Sequence, residues 1–213
     1  MKQKDIFLRS EGDAYFRRAA GHPVPRDSDP LVKELGALGL PSGSKVLEIG
    51  CGDGERLQWL AERLGFECFG LDPSGQAVAA ANQRGRIQVR QGTADALPFE
   101  AGLMDAVVFG TCLYLCDRED LFRIACEADR VLKNPGWLLM YEFYSPVPLQ
   151  REYRHVEGLY SYKMDYRNLF LWHPGYTCYV QRVMHWSSWD LTDKPEDWTA
   201  VSVLRKNLCS HEP

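Results

Sequence analysis

Residues 46–54, which read VLEIGCGDG, constrain the fold of this chain more than any other segment. The first residues are apolar and β-prone, which is typical of a central parallel strand. Three glycines follow, Gly50, Gly52 and Gly54, and they allow the backbone to turn sharply and approach a ligand. Because residues 55–64 then have apolar side chains at helical spacing, we predict a strand, a glycine turn and a helix. That order is the first half of a nucleotide-binding unit.

The spacing of the glycines separates two kinds of nucleotide site. A dinucleotide fingerprint has the spacing GxGxxG and places a pyrophosphate at the N-terminus of the helix. This chain has GxGxG instead, with Glu48, Asp53 and Glu55 close to the turn. These carboxylates would repel a pyrophosphate, whereas a ligand that carries a sulfonium cation tolerates them. The spacing therefore argues against a nicotinamide oxidoreductase.

An acidic residue followed by GxGxG resembles the first motif of the class I S-adenosylmethionine-dependent methyltransferases. Specific motifs carry the resemblance over about residues 45–143, and the rest of the chain matches only in architecture. The resemblance implies an α/β, Rossmann-like fold, in which a seven-stranded mixed sheet of order 3-2-1-4-5-7-6 has helices on both faces. It also implies that the cofactor is S-adenosyl-L-methionine.

The resemblance assigns cofactor contacts to further positions. Asp72 ends the second strand (CFGLD) and would accept hydrogen bonds from the ribose hydroxyls, although alone it could be a turn residue at a helix entry. Asp95, in the loop GTADALPF, would bind the adenine amino group, or could simply cap a turn. Thr111 and Tyr114 follow the fourth strand and would lie at the cofactor pocket. The residues predicted to bind the cofactor are Tyr15, Glu48, Gly50, Cys51, Gly52, Gly54, Asp72, Pro73, Ala94, Asp95, Ala96, Thr111 and Tyr114.

The remaining elements follow from apolar patterning and from turn residues. An amphipathic helix is predicted at 117–133, with a cap at Asp117. A second helix is predicted at 31–38, after the proline-containing linker 21–30. The predicted later strands are 87–89, 104–110, 137–143, 177–186 and 198–206.

We expect one methyltransferase domain over residues 1–213, with two segments outside its sheet and helices. Residues 1–40 would form an N-terminal helical lid, from which Tyr15 covers the methionine end of the cofactor. Residues 145–176 would be an insertion that caps the substrate. Residues 141–189 hold thirteen of the twenty-five Phe, Tyr and Trp residues, which suits a lid over a small organic molecule. A dimer contact or a packed cap would explain the same composition.

Methyl transfer needs the acceptor atom, the methyl carbon and the sulfur to be held in line. A general base is needed only when the acceptor loses a proton as it attacks, and His155 is the leading candidate. The alternatives are His173 and His185 as bases, and Tyr160, Tyr162 and Tyr166 as hydroxyls that orient the acceptor. Each histidine could equally be structural. The turn after the fourth strand lacks an Asn-Pro-Pro-Tyr or Asp-Pro-Pro-Tyr element, which disfavours methylation of DNA adenine or of glutamine side chains.

Composition limits the partners. The net charge is −4 and no dense Lys/Arg stripe is present, so nucleic acid is an unlikely substrate. No apolar run reaches the length of a membrane span and no signal peptide is evident, and the seven cysteines lack CxxC or zinc spacing. We therefore expect a cytoplasmic protein without a metal site, which acts on a small-molecule substrate and forms either a monomer or a homodimer.

The sequence thus predicts a methyltransferase that modifies an oxygen or nitrogen atom of a small metabolite, such as a sugar or specialised-metabolite intermediate. Two alternatives remain open at this stage. One is a non-catalytic protein that binds S-adenosylmethionine. The other is a protein or RNA methyltransferase, which would need a longer and more open groove.

Overall fold

The computed structural model describes residues 2–19 and 26–208, in which strands and helices alternate as predicted. The α-helices are α1 (Gln3–Ile6), α2 (Gly12–Ala19), α3 (Pro30–Ala37), α4 (Glu55–Leu64), α5 (Gly75–Asn82) and α6 (Leu121–Val131). The strands are β1 (Lys45–Ile49), β2 (Glu67–Asp72), β3 (Ile87–Gln91), β4 (Met104–Gly110), β5 (Leu132–Phe143), β6 (Leu149–Glu152), β7 (Tyr160–Lys163), β8 (Tyr176–His185) and β9 (Trp198–Lys206).

Seven strands form the main sheet, in the order β3-β2-β1-β4-β5-β9-β8. The first five are parallel, and β9 and β8 are antiparallel to their neighbours. The predicted topology is confirmed. The last two strands have higher numbers only because β6 and β7 pair with each other in a separate two-stranded sheet.

The central strands are buried on both faces, as expected for a parallel sheet that helices cover on each side. Alternate residues of β1 point to opposite cores: Leu47 belongs to the core that contains α6, and Val46 to the core that contains α3 and α4. Both side chains have no exposed surface. This double burial holds the carboxyl end of β1 firmly in place.

The predicted helix at 117–133 is shorter in the structure. A 3₁₀ turn covers Arg118–Asp120, α6 then runs over Leu121–Val131, and β5 begins at Leu132 rather than at Trp137. The helix ends because Leu132 adopts an extended backbone and pairs with Met104. Strand pairing thus replaces the last helical turn.

Asp117 is predicted from the sequence to cap the helix at 117–133, but its side chain makes no capping hydrogen bond there. Its two carboxylate oxygens accept hydrogen bonds from the backbone N–H groups of Gln3 and Lys4, at 2.9 and 3.1 Å. Asp117 therefore caps α1, where the first N–H groups of a helix have no partner within the helix. A contact across more than 100 residues of sequence cannot be read from local patterning.

The N-terminal helix is continuous from α1 through a π-helical turn at Phe7–Glu11 into α2. Asp13 of α2 accepts hydrogen bonds from the Ser74 hydroxyl (2.7 Å) and from the backbone N–H of Gln76 (3.1 Å). The helix therefore lies against the start of α5. Part of the predicted linker 21–30 lies outside the described residues, and Arg26–Ser28 form a 3₁₀ turn before α3.

The inserted segment contains the β6–β7 hairpin and a 3₁₀ turn at Tyr166–Leu169. It contacts the N-terminal helix, because the Tyr153 hydroxyl donates a hydrogen bond to Glu11 at 2.8 Å. Gln3 also hydrogen-bonds both backbone groups of Tyr160, at 2.6 and 3.1 Å.

Within the described residues, no helix has the length and apolarity needed to cross a bilayer.

A buried ion network lies beneath the glycine turn. Arg56 of α4 contacts Glu48, and its Nε lies 2.9 Å from Asp29 Oδ2, to which Arg26 also binds at 3.0 Å. Burial raises the pKa of Glu48, whereas the two guanidinium groups outweigh the effect of burial at Asp29 and lower its pKa. The network joins α3, α4 and β1.

We predict that Arg56→Met destabilises the fold by about 3–5 kcal/mol, because it leaves Glu48 without its cation in the interior. Lys133→Met removes an ion pair whose lysine side chain is 41% exposed, and should cost less than about 1 kcal/mol. Urea denaturation of both variants measures the difference. Equal losses of stability would show that the network does not hold the turn.

Candidate functional site

A cavity of about 130 Å³ lies at the carboxyl ends of β1, β2 and β4, beneath the N-terminal helix. Ligands of open α/β sheets bind at this edge, where the strand order reverses. Seven of the thirteen predicted cofactor residues line it: Tyr15, Gly50, Asp72, Pro73, Ala94, Asp95 and Thr111. The other six, Glu48, Cys51, Gly52, Gly54, Ala96 and Tyr114, are not among its lining residues, and their contact with a cofactor stays a prediction.

The glycine turn has the left-handed backbone that its sequence predicts. Gly50, Gly52 and Gly54 have φ values of +75°, +55° and +70°. At Gly50 a Cβ atom would lie 2.5 Å from the Cβ of Cys112, so that a side chain cannot be accommodated there. The N–H of Gly50 donates to the carbonyl of Leu71 at 2.8 Å, which fixes the turn against β2.

Asp72 is held by the two turns that border the cavity. Its Oδ2 accepts a hydrogen bond from the N–H of Gly52 at 2.8 Å, and its Oδ1 accepts one from the N–H of Ser74 at 2.9 Å. Burial raises the pKa of the carboxyl group, although these two hydrogen bonds oppose the effect. A carboxylate has about four acceptor positions, so each oxygen can still accept a hydroxyl. The geometry fits a ribose diol.

Asp95 is buried at the other end of the cavity and pairs with Lys4 of α1 through Oδ2. The Lys4 ammonium also lies 2.8 Å from Asp120 Oδ2. Burial raises the pKa of Asp95, but hydrogen bonds from Lys4 and Thr93 outweigh it, so that the net shift is downward. The ionised carboxylate has a second oxygen for the amino group of a base. Sequence analysis missed Lys4, because its partner is 91 residues away.

Thr111 lines the first cavity and has a strained backbone conformation. Its φ is +63°, a region that residues other than glycine rarely adopt, and its N–H donates to the carbonyl of Tyr141 at 2.9 Å. The next two N–H groups, of Cys112 and Leu113, both donate to Glu142 Oε1 at 2.8 Å. Glu142 thus fixes the turn that carries Thr111 and Tyr114.

Glu142 lies behind the turn that borders the cavity, and no sequence motif indicated it. Its side chain is buried, and its Oε2 has no hydrogen-bond partner in the described residues. Burial raises the pKa of the carboxyl group to about 7, against the effect of the backbone N–H groups. Only the pairing of β4 with β5 brings Glu142 behind the turn that follows β4.

A second cavity, of about 290 Å³, lies between the turn after β4 and the β6–β7 hairpin. Tyr114 lines this cavity, and its hydroxyl lies 3.3 Å from the hydroxyl of Tyr15, a residue that lines the first cavity. The two cavities are therefore neighbours, separated here by two hydroxyl groups. The second cavity is lined by Tyr114, Phe143, Arg151, Glu152, Tyr153, Arg154, His155, Ser161, Tyr162 and Lys163.

The structure separates the candidate bases by position. His155 lines the second cavity, with its ring edge-on to Tyr153 at 5.3 Å between centroids. His173 Nδ1 accepts from the N–H of Gly175, and His185 Nδ1 accepts from the N–H of Ser187. Neither His173 nor His185 lines either of these cavities. Among the tyrosine alternatives, Tyr162 lines the second cavity, whereas Tyr160 and Tyr166 do not.

Comparison with known proteins agrees with this geometry. A family model described as a methyltransferase domain matches residues 46–136, which contain the glycine turn, Asp72 and Asp95. This segment is similar to a methyltransferase domain, and the chain has the fold of the class I S-adenosylmethionine-dependent methyltransferases. The matched segment ends within β5, so the antiparallel strands and the β6–β7 hairpin lie outside it.

Two curated relatives match part of this chain. An uncharacterized methyltransferase of Synechocystis sp. is 32% identical over 114 residues, which are 51% of this chain and 51% of that protein. The methyltransferase GfsG of Streptomyces halstedii is 31% identical over 133 residues, covering 54% of this chain and 46% of that protein. The chain therefore spans about half the length of the curated relatives it matches.

A solved structure shows the same fold. The S-adenosylmethionine-dependent methyltransferase from Methanosarcina mazei superposes with a TM-score of 0.66 at 18% identity, and the match covers 84% of this chain and 98% of that one.

We predict that stability falls with rising pH through the titration of Glu142. The folded chain binds this proton more tightly, so between about pH 4.5 and about pH 7 the folded state holds more protons than the unfolded state. The free energy of unfolding should fall through that window, by at most roughly 3 kcal/mol. Glu142→Gln should remove this component, as measured by urea denaturation at pH 5 and pH 8.

Glu157→Gln, in an exposed turn, is the control and should keep the wild-type pH profile. Parallel profiles for wild type and Glu142→Gln would contradict the assignment.

Proposed function

We propose that this chain transfers a methyl group from S-adenosylmethionine to an oxygen or nitrogen atom of a small metabolite. One observation carries the proposal. Asp72 and Asp95 open into a single cavity at the carboxyl ends of the strands, beside Gly50, where no side chain fits. The cavity thus offers acceptors for a ribose and for an adenine amino group next to a turn that allows close backbone approach.

Different residues of the first cavity would bind different parts of the cofactor. Asp72 would hold the ribose diol, Asp95 would hold the adenine amino group, and Ala94 and Pro73 would form apolar walls. Glu48 Oε2 is buried without a hydrogen-bond partner in the described residues, which suits a cationic neighbour at the methionine end. S-adenosylmethionine, when bound, supplies an electrophilic methyl group.

The second cavity is the proposed acceptor site. It adjoins the first at the Tyr15 and Tyr114 hydroxyls, which are 3.3 Å apart. Burial raises the pKa of Tyr114 well above its ordinary value, so the phenol keeps its proton and can donate a hydrogen bond to the acceptor. Such positioning can supply much of the rate of an in-line displacement.

His155 is the proposed base, since it lines the acceptor cavity and histidine exchanges protons near neutral pH. A base matters when an acceptor hydroxyl loses its proton as it attacks, or when an ammonium group must first lose a proton to become a nucleophilic amine. The N-terminal helix and the β6–β7 hairpin cover the site together, and they are joined through Glu11 and Tyr153. This cover favours a small molecule over a polymer as substrate.

We predict that Asp72→Ala weakens the binding of S-adenosylmethionine and S-adenosylhomocysteine at least about tenfold, because hydrogen bonds to a charged acceptor contribute about 1.5–3 kcal/mol each. The matched control is Asp53→Ala, in the same glycine turn. Asp53 pairs with Arg84 and does not line the cavity, so its loss should leave affinity nearly unchanged.

Isothermal titration calorimetry with both nucleosides measures the two variants. Unchanged affinity in Asp72→Ala would refute the assigned ribose site. Failure of the wild-type protein to bind either nucleoside would refute the proposed function itself.

We predict that His155→Ala lowers kcat about 10²–10⁴-fold with a protonated acceptor, which is the range of general-base contributions. Affinity for S-adenosylhomocysteine should not change, because His155 lies outside the first cavity. His173→Ala is the control and should retain wild-type kcat. Acceptors found by screening for S-adenosylhomocysteine release serve as substrates, and equal kcat in wild type and His155→Ala would exclude this base.

A further inference from the structure

The second cavity is rich in positive charge although the whole chain is acidic. Arg151, Arg154 and Lys163 line it, whereas Glu152 is the one carboxylate among its lining residues. The cavity therefore has two more cationic than anionic groups, while the chain has a net charge of −4. A local field of this sign attracts an anion.

The hairpin places these groups together. Arg151 of β6 pairs with Ser161 of β7, and Lys163 lies two residues beyond Ser161. Side chains alternate across a strand, so Arg151, Ser161 and Lys163 share one face of the hairpin. Arg154 follows in the turn that joins the two strands.

The two arginines of this cavity have no ion-pair partner in the part of the chain that the structure describes. Within residues 2–19 and 26–208, neither Arg151 nor Arg154 takes part in a salt bridge, and neither side chain donates a hydrogen bond to another side chain. The Lys163 ammonium donates to the backbone carbonyl of Glu196 at 2.5 Å and lies 5.2 Å from the centre of the Phe143 ring.

The environment of Lys163 agrees with an excess of positive charge. Burial lowers the pKa of its ammonium group, and the nearby Arg151 lowers it further, while Asp197 and Glu196 act in the opposite direction. Like charges that face one cavity repel one another, and an anion between them would relieve this repulsion. Guanidinium groups bind carboxylate and phosphate in a planar, two-point geometry.

We infer that the methyl acceptor carries a carboxylate or phosphate group, which Arg151 and Arg154 bind with help from Lys163. This inference rests on the proposed function and adds the class of substrate. The anionic end would lie against the hairpin, and the atom to be methylated would point to Tyr114 and the first cavity. Ser161 and Tyr162 offer hydroxyl groups along the cavity wall.

The test compares benzoate, phenyl phosphate and the neutral benzamide by isothermal titration calorimetry, with and without S-adenosylhomocysteine. We expect the better anion to bind at least about tenfold more tightly than benzamide, a difference of about 1.4 kcal/mol. The tighter of the two anions identifies the group as carboxylate or phosphate. Benzamide binding as tightly as both anions, or no binding by any probe up to its solubility limit, would overturn the inference.

Variants locate the bound anion. Arg151→Met and Arg154→Met each remove a charge from an exposed side chain and should each weaken anion binding about threefold to tenfold. The control is Arg86→Met, at another exposed arginine that immediately precedes β3, and this variant should bind the anions as wild type does. Anion affinity that survives both cavity substitutions would also overturn the inference.

The two proposals can fail separately. Anion binding that depends on Arg151 and Arg154, together with no affinity for S-adenosylhomocysteine, would leave the anion site standing and remove the proposed methyl transfer. Nucleoside binding that requires Asp72, together with no preference for anions, would do the reverse.

Discussion

The contact on which the site depends is the double hydrogen bond that Asp72 accepts from Gly52 and Ser74. It ties the glycine turn after β1 to the turn after β2, and the two turns form adjacent walls of the first cavity. Strand pairing alone would align the strands but leave the loops beyond them free. One carboxylate thus fixes the local backbone and keeps acceptor positions for a ligand.

The cover over the cavity depends on contacts between distant segments. Asp117 caps the first helix, and Asp13 of the second joins that helix to the start of α5. Glu11 then joins the N-terminal helix to Tyr153 of the insertion, a residue that lines the second cavity. The N-terminal helix and the insertion are therefore joined by hydrogen bonds on the side of the molecule where the two cavities lie.

The two cavities differ in the sign of the charged side chains that line them. The first cavity is lined by Asp72 and Asp95, whereas the second has arginines and a lysine without salt-bridge partners in the described part of the chain. The tyrosine hydroxyls of Tyr15 and Tyr114 lie between them. Opposite fields on the two sides would orient a pair of reactants whose charges are opposite.

The sequence by itself determined the glycine turn and the positions of Asp72 and Asp95, because turns and motif spacings are local patterns, whereas the sheet order came from the resemblance of those motifs to a known family. The sequence predicted the end of helix α6 less accurately, because the pairing of Leu132 with Met104 sets that boundary. Only the tertiary structure decided that Lys4 pairs with Asp95, that Glu142 fixes the turn after β4, and that Arg151, Arg154 and His155 share a cavity. These contacts join residues far apart in the chain or depend on which way a hairpin faces, and packing of the whole domain alone sets them.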